Sequence, residues 1–146
     1  MIIRPVRPDD VNDWLAMRQA LWPEPAELLH RKEMAKLLSD MERSTALVCE
    51  REQGSLVGFA EVSLREWAEG CVSSPVGYLE GWYVRPEFRG RGVGRQLVEA
   101  AEDWARARGC TEMGSDTDLG NTQSEAAHRR LGFEIAARVT AFRKHL

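Results

Sequence analysis

Arg89-Gly90-Arg91-Gly92-Val93-Gly94 packs three glycines and two arginines into six positions. Glycines let a backbone turn its N–H groups inward and come close to a ligand. An apolar stretch, Tyr78 to Val84, precedes the run and ends at Arg85-Pro86; a helical pattern follows it. A strand, a Gly/Arg loop and a helix N-terminus in that order make a phosphate site, because the first helical turn supplies unpaired donors and partial positive charge. It is not a P-loop, since the Lys-Ser/Thr pair is missing, and a G-x-G-x-x-G fingerprint would need glycine where Arg95 stands. Taken alone, the run also fits an ordinary tight turn.

One carboxylate, Glu80, interrupts the apolar stretch. Alternation along a strand puts it on one face with Tyr78 and Trp82. A carboxylate there is costly unless paired or used, and desolvation raises its pKa toward that of a base near neutral pH. It is therefore a site residue or half of a buried ion pair, with an arginine as partner. Asp116 lies just past a short strand, at the kind of strand end where α/β sites gather; the alternative is a solvated acid capping a turn near Gly120. Trp22 and Trp67 are candidate walls for a ligand, because indole faces pack on C–H surface and attract ammonium groups. Core packing is the alternative for both. His128 is either a proton donor or a hydrogen-bonded core histidine. No cysteine has a base beside it, and no His/Cys/acid cluster has metal-ligand spacing, so neither an acyl-enzyme nor a metal is expected.

These residues need elements to hold them. Ile2 to Val6 reads as a strand, and Asp9 or Asp10 can cap a helix carrying Val11, Trp14, Leu15 and Leu21. Trp22-Pro23-Glu24-Pro25 ends that helix and leaves Trp22 at a bend, and a second helix covers about 26–38. Ala46 to Glu50 and Leu56 to Leu64 form a hairpin about Gln53-Gly54. Tyr78 to Val84 is the central strand. Gly92 to Arg108 is the clearest helix, with Val93, Leu97, Val98, Ala101, Trp104 and Ala105 on one stripe and Gly109 as its stop. A short strand at 111–115, a helix from Asn121 or Thr122 to Arg130, and a last strand from Phe133 to Arg143 complete the order βααβββαβαβ. That order predicts an α/β sandwich about a mixed sheet.

R-x-x-G-x-G between strand and helix matches the acyl-coenzyme A pyrophosphate motif of the GCN5-related N-acetyltransferases, and the chain resembles that superfamily over nearly its full length. Asn121-x-x-Ser124-x-x-x-His128-x-x-x-Gly132-Phe133 resembles the family's N-x-x-A-x-x-x-Y-x-x-x-G-F segment. Finer pieces are similar to the aminoglycoside 6′-N-acetyltransferases: Leu21-Trp22-Pro23, Gly70-Cys71-x-Ser73-Ser74-Pro75, Leu79-Glu80-Gly81, Glu112-Met113-x-Ser115-Asp116-Thr117, and Arg138-Val139 through Phe142-Arg143-Lys144. The resemblance implies a mostly antiparallel central sheet flanked by helices, acetyl-CoA as donor and a polyamino sugar as acceptor. It places pyrophosphate on Arg89, Gly90, Arg91, Gly92, Val93 and Gly94, with Asn121 also at the coenzyme. Trp82, Tyr83 and Val84 would flank the pantetheine arm, with the Val84 N–H facing the thioester carbonyl. Glu80 would bind the amine or accept its proton, and Trp22, Trp67, Glu80 and Asp116 would hold the acceptor. His128 departs from the family's tyrosine, which puts a tyrosine-based acid in doubt. Two rivals are an acetyltransferase for another small-molecule or peptide amine and a non-catalytic coenzyme A-binding module.

Composition agrees with this frame. A length of 146 residues suits one domain, 1–146, and 43% hydrophobic content is ordinary for a globular chain. A formal net charge of -3 weighs against nucleic acid or an anionic membrane as partner and is compatible with a cationic substrate. Three cysteines, an odd number without a C-x-x-C pair, suggest free thiols in a reducing compartment. No signal segment and no long apolar run is present, so a cytoplasmic protein is expected. The apolar last strand offers an edge for a homodimer.

Overall fold

The computed structural model describes residues Met1–Leu146. Five strands form one sheet in the order β1-β2-β3-β4-β5. They are β1 (Ile2–Pro5), β2 (Ser44–Glu50), β3 (Leu56–Arg65), β4 (Val76–Val84) and β5 (Met113–Ser115). All neighbours are antiparallel except β4 and β5, which run parallel.

Two helix layers cover the sheet. On one face, α3 (Val93–Arg106) lays Val93, Leu97, Val98 and Ala101 on Leu47, Ala60, Val62 and Leu79. This is the stripe expected from its 3.6-residue spacing, and burying a side chain such as Leu97 contributes about 1.5–3 kcal/mol. On the other face, α1 (Val11–Leu21) and α2 (Glu27–Ser39) pack Trp14, Leu15, Met17 and Met34 on Ala46, Val48, Leu56 and Phe59. The last helix, α4 (Thr122–Arg130), has Asn121 as its cap, whose side chain accepts a hydrogen bond from the Ser124 N–H.

Three sequence expectations change. Asp10 stands at the start of α1 but makes no side-chain cap there. Its carboxylate instead takes the Arg7 N–H and two donors of Arg4, because a charged pair outcompetes a neutral cap. The strand expected at 133–143 is absent: Glu134 to Leu146 forms no regular structure and no backbone hydrogen bond. A strand needs a neighbour to satisfy its backbone, and no strand of this chain pairs with that segment. Finally, strict alternation fails at Glu80. Glu61 pairs with Gly81 while Val62 pairs with Leu79, so Glu80 is the extra residue of a β-bulge.

Candidate active site

β5 ends at Ser115, opposite Leu79, whereas β4 runs on to Val84. Beyond Leu79, β4 therefore has an open side. The Arg85 N–H points to β3, where it binds the Val57 carbonyl. Alternation then turns the N–H groups of Trp82 and Val84 to the open side. The Val84 carbonyl, facing the same way, accepts from Arg89 Nε at 2.8 Å, which ties the following loop to the strand end.

That loop is a short 3-10 turn, Pro86–Phe88, followed by Gly90 (φ 73°) and Gly92 (φ 82°) in the left-handed region. Gly90, Arg91 and Gly92 give their N–H groups to no backbone acceptor. Val93, Gly94 and Arg95 open α3, where first-turn N–H groups have no partner within the helix. Six consecutive donors thus lie free at a helix N-terminus, a fit for pyrophosphate oxygens. Gly94 is required for packing: a Cβ there would lie 2.9 Å from Trp82 Cζ2. The Trp82 Nε1–H beside it is buried with no hydrogen-bond partner. An orphaned donor next to six free N–H groups suits an anionic group better than a closed core. Tyr83 lies under the Arg89 guanidinium, 5.5 Å from Cζ to the ring centroid.

His128 is enclosed by hydrogen bonds. Nδ1 lies 2.8 Å from the Ser124 carbonyl, so this nitrogen carries a proton; Nε2 lies 2.9 Å from Ser115 Oγ. The ring meets Trp82 and Phe133 edge to face. His128 thus joins α4 to the end of β5 through Ser115, whose Oγ also donates to the Leu79 carbonyl at 3.2 Å.

Glu80 is half of an ion pair with an arginine, one of the two readings its place in the apolar strand left open, although the pair is half-exposed rather than buried. Its Oε1 accepts from Ser63 Oγ at 2.5 Å and Arg65 Nε at 2.9 Å, and its Oε2 accepts from Arg65 Nη2 at 2.7 Å. Arg65 also stacks on Tyr78, 3.5 Å from the ring centroid. Tyr78 Oη donates to Asp116 Oδ2 at 2.5 Å. Burial, then this bond to a carboxylate, pushes the Tyr78 pKa up. Glu80, Arg65, Tyr78 and Asp116 are therefore one cluster, although Asp116 lies 38 positions from Tyr78.

The carboxylate that is desolvated is Glu61, which the sequence reading missed. It is fully buried on the α1 side of the sheet, accepting from Trp14 Nε1 at 3.0 Å and from Arg18 Nη1. Burial pushes its pKa up, against the pull of Arg18. Arg18 Nε donates to His30 Nδ1 at 3.2 Å, and His30 Nε2 then donates to the Trp22 carbonyl at 3.0 Å. This chain holds Trp22 at the bend after α1. The Trp22 ring lies so close to β4 that a Cβ on Gly81 would meet Cη2 at 2.3 Å. The signal was present: Glu61 is a lone carboxylate within Leu56 to Leu64, as Glu80 is within its own strand.

Trp22, Glu33, Glu61, Ser63 and Glu80 line a groove of about 730 Å³ between α2 and the sheet, within the range of small-molecule sites. Trp67 is 65% exposed in the loop before β4 and lies outside this groove.

Backbone donors thus lie at one end of β4 and a carboxylate cluster lies beside its bulge. The Acetyltransferase (GNAT) family model matches residues 14–133, and the chain belongs to that family of acetyltransferases. An aminoglycoside N(6′)-acetyltransferase type 1 of Klebsiella aerogenes is 48% identical over 147 residues, spanning 99% of this chain and 97% of the relative. One from Stenotrophomonas maltophilia is 45% identical over 99% of this chain and 93% of its own. Among solved structures, an aminoglycoside 6′-N-acetyltransferase of Acinetobacter haemolyticus superposes with a TM-score of 0.94 at 37% identity, covering 100% of this chain and 99% of that one. AAC(6′)-Iy, in complex with the bisubstrate analogue CoA-S-monomethyl-acetylneamine, gives 0.92 at 37% identity over 99% and 98% of the two chains. The mixed, mostly antiparallel sheet flanked by helices is the fold these structures share.

Proposed function

We propose that residues 1–146 form one acetyltransferase domain that moves the acetyl group of acetyl-CoA to the 6′-amine of aminoglycosides. The carrying observation is the pair of opposite charge environments along β4: six free N–H groups from Gly90 to Arg95, and the Glu80 and Asp116 carboxylates beside the bulge. The bisubstrate complex of AAC(6′)-Iy supports the same pairing of ligands. Acetyl-CoA supplies an activated thioester.

The chain's own groups account for the rest. Gly90 to Arg95 bind pyrophosphate, Trp82 to Val84 run beside the pantetheine arm, and Asn121 holds the start of α4 at the coenzyme. The Val84 N–H, turned to the open side, is the donor left for a developing negative charge. Glu80 takes a proton from the acceptor amine, directly or through water. Ser115 Oγ and His128 Nε2 hold the proton that the departing thiolate needs. Trp22 and Asp116 position the acceptor, and Trp67 can reach it only from outside the groove. Holding two reactants together supplies much of the rate.

Two further readings go with this function. The segment 134–146 is unpaired and exposes Ile135, Val139, Phe142 and Leu146, which supports a homodimer in which it adds to a sheet of the second copy. Sedimentation should give a dimer, and Phe142→Asp should shift it to monomer. Three unpaired cysteines support a reducing, cytoplasmic setting.

Thiol release from acetyl-CoA with two paired amino sugars tests the activity. Neomycin carries a 6′-amine and paromomycin a 6′-hydroxyl. Release with neomycin alone is expected. Equal release with both moves the acetylated position, and none with either removes amino sugars as acceptors.

A further inference from the structure

The Glu80 carboxylate has about four lone-pair positions, and three are filled by Ser63 and Arg65. It offers little room to an amine while Arg65 is in place. Arg65 is the last residue of β3, with its side chain 43% exposed, and its guanidinium covers both Glu80 oxygens and the face of Tyr78. Tyr78 leads on to Asp116. One cation thus sits where both carboxylates of the cluster attract positive charge.

We infer that Arg65 is an internal stand-in for the acceptor's ammonium group: it occupies the cation site on Glu80 until a polycationic acceptor displaces it, and so sets which acceptors are used. The inference rests on the cationic acceptor of the preceding section.

Three features carry it. First, the exchange conserves charge. An ammonium group brings three N–H donors to a carboxylate from which two guanidinium donors depart. Second, the pair can open. An ion pair this exposed contributes little to stability, and the freed guanidinium is rehydrated at the surface. Third, opening has a consequence for the reaction, because two positions on Glu80 are released for the amine whose proton it takes. The stacking on Tyr78 and the bond network keep Arg65 in place otherwise, and Glu80 together with Asp116 holds the Arg65 pKa above its ordinary value. An acceptor with several clustered ammonium groups competes well against this guanidinium. A lone amine gains one charge contact and must uncover another.

Steady-state kinetics with neomycin on the full chain, comparing wild type, Arg65→Ala and Arg65→Lys, test the inference. Removing the competing cation in Arg65→Ala should lower the acceptor KM about two- to fivefold, the scale of an exposed ion pair, with a smaller change in kcat. Arg65→Lys, which restores a cation, should return KM toward wild type. Millimolar guanidinium should inhibit Arg65→Ala competitively against neomycin more strongly than it inhibits wild type. The acetyl-CoA KM and the melting temperature should stay near wild type in both variants, which separates the effect from misfolding. An Arg65→Ala enzyme with unchanged or raised acceptor KM, or one that loses kcat instead, overturns the inference, since Arg65 would then merely support Glu80. Failure of the acceptor reading is distinct: wild type would release no thiol with any amino sugar, and the stand-in role would fall with it.

Discussion

Glu61 on β3 and Glu80 at the bulge of β4 both accept hydrogen bonds from an arginine, and both line the same groove. Their surroundings differ. The Arg18–Glu61 side chains are 2% and 4% exposed, and those of Arg65–Glu80 are 43% and 28% exposed. Neither member of the buried pair can leave without stranding a charge in a medium that solvates it poorly. The half-exposed pair has water at hand and can exchange partners. The first pair accordingly fixes the wall of the groove, through His30 and Trp22, and the second is the one proposed to take a ligand.

The largest expected effect breaks the buried member. Arg18→Met strands Glu61 and should cost about 3–5 kcal/mol, read as a fall in denaturation midpoint. A loss below about 1 kcal/mol would erase the distinction between the pairs. Glu80→Gln should do the reverse, with stability nearly unchanged, acetyl-CoA affinity intact and turnover lowered about 100-fold or more. Full turnover in that variant removes Glu80 from the chemistry.

Asp10 provides a third, largely buried carboxylate–arginine pair. The Arg4 hydrogen bonds, then the Arg7 N–H, hold its pKa below the usual value, against burial. On acidification the unfolded chain protonates at this position first. The contribution is therefore full above the ordinary carboxylate pKa of about 4 and is lost as pH falls through the folded value. Asp10→Asn should cost about 1.5–3 kcal/mol at neutral pH and flatten stability below about pH 4. An unchanged acid profile would move the sensitivity elsewhere. The smallest effect belongs to Glu33, which accepts from the outer arm of Arg18 and is 49% exposed. Glu33→Gln should shift stability by less than about 1 kcal/mol in thermal unfolding. A larger loss would mean that the Arg18 network depends on its exposed end.

Most helices and strands were legible from periodicity and from Gly and Pro punctuation, because those signals are local. The segment 133–143 was misread because an apolar stretch states a preference for pairing without supplying a partner. Glu80 and Glu61 each stand alone in an apolar strand, and only Glu80 has a phosphate motif beside it in the chain. Nothing local to either residue distinguishes which carboxylate is desolvated, because that depends on which layer packs over it.

The sequence by itself determined the end of the site proposed for the coenzyme. Six consecutive residues build that cradle from their own N–H groups, and Gly90 and Gly92 permit the left-handed turns whatever surrounds them. Only the tertiary structure decided the end proposed for the acceptor. Arg65 meets Glu80 across a strand pair, Asp116 meets Tyr78 from just past β5, and Arg18 reaches Glu61 from α1, which is packed on the groove's face of the sheet. Those meetings depend on sheet register, on a one-residue bulge and on which side each layer packs, and these are set by burying the core as a whole rather than by any local run of residues.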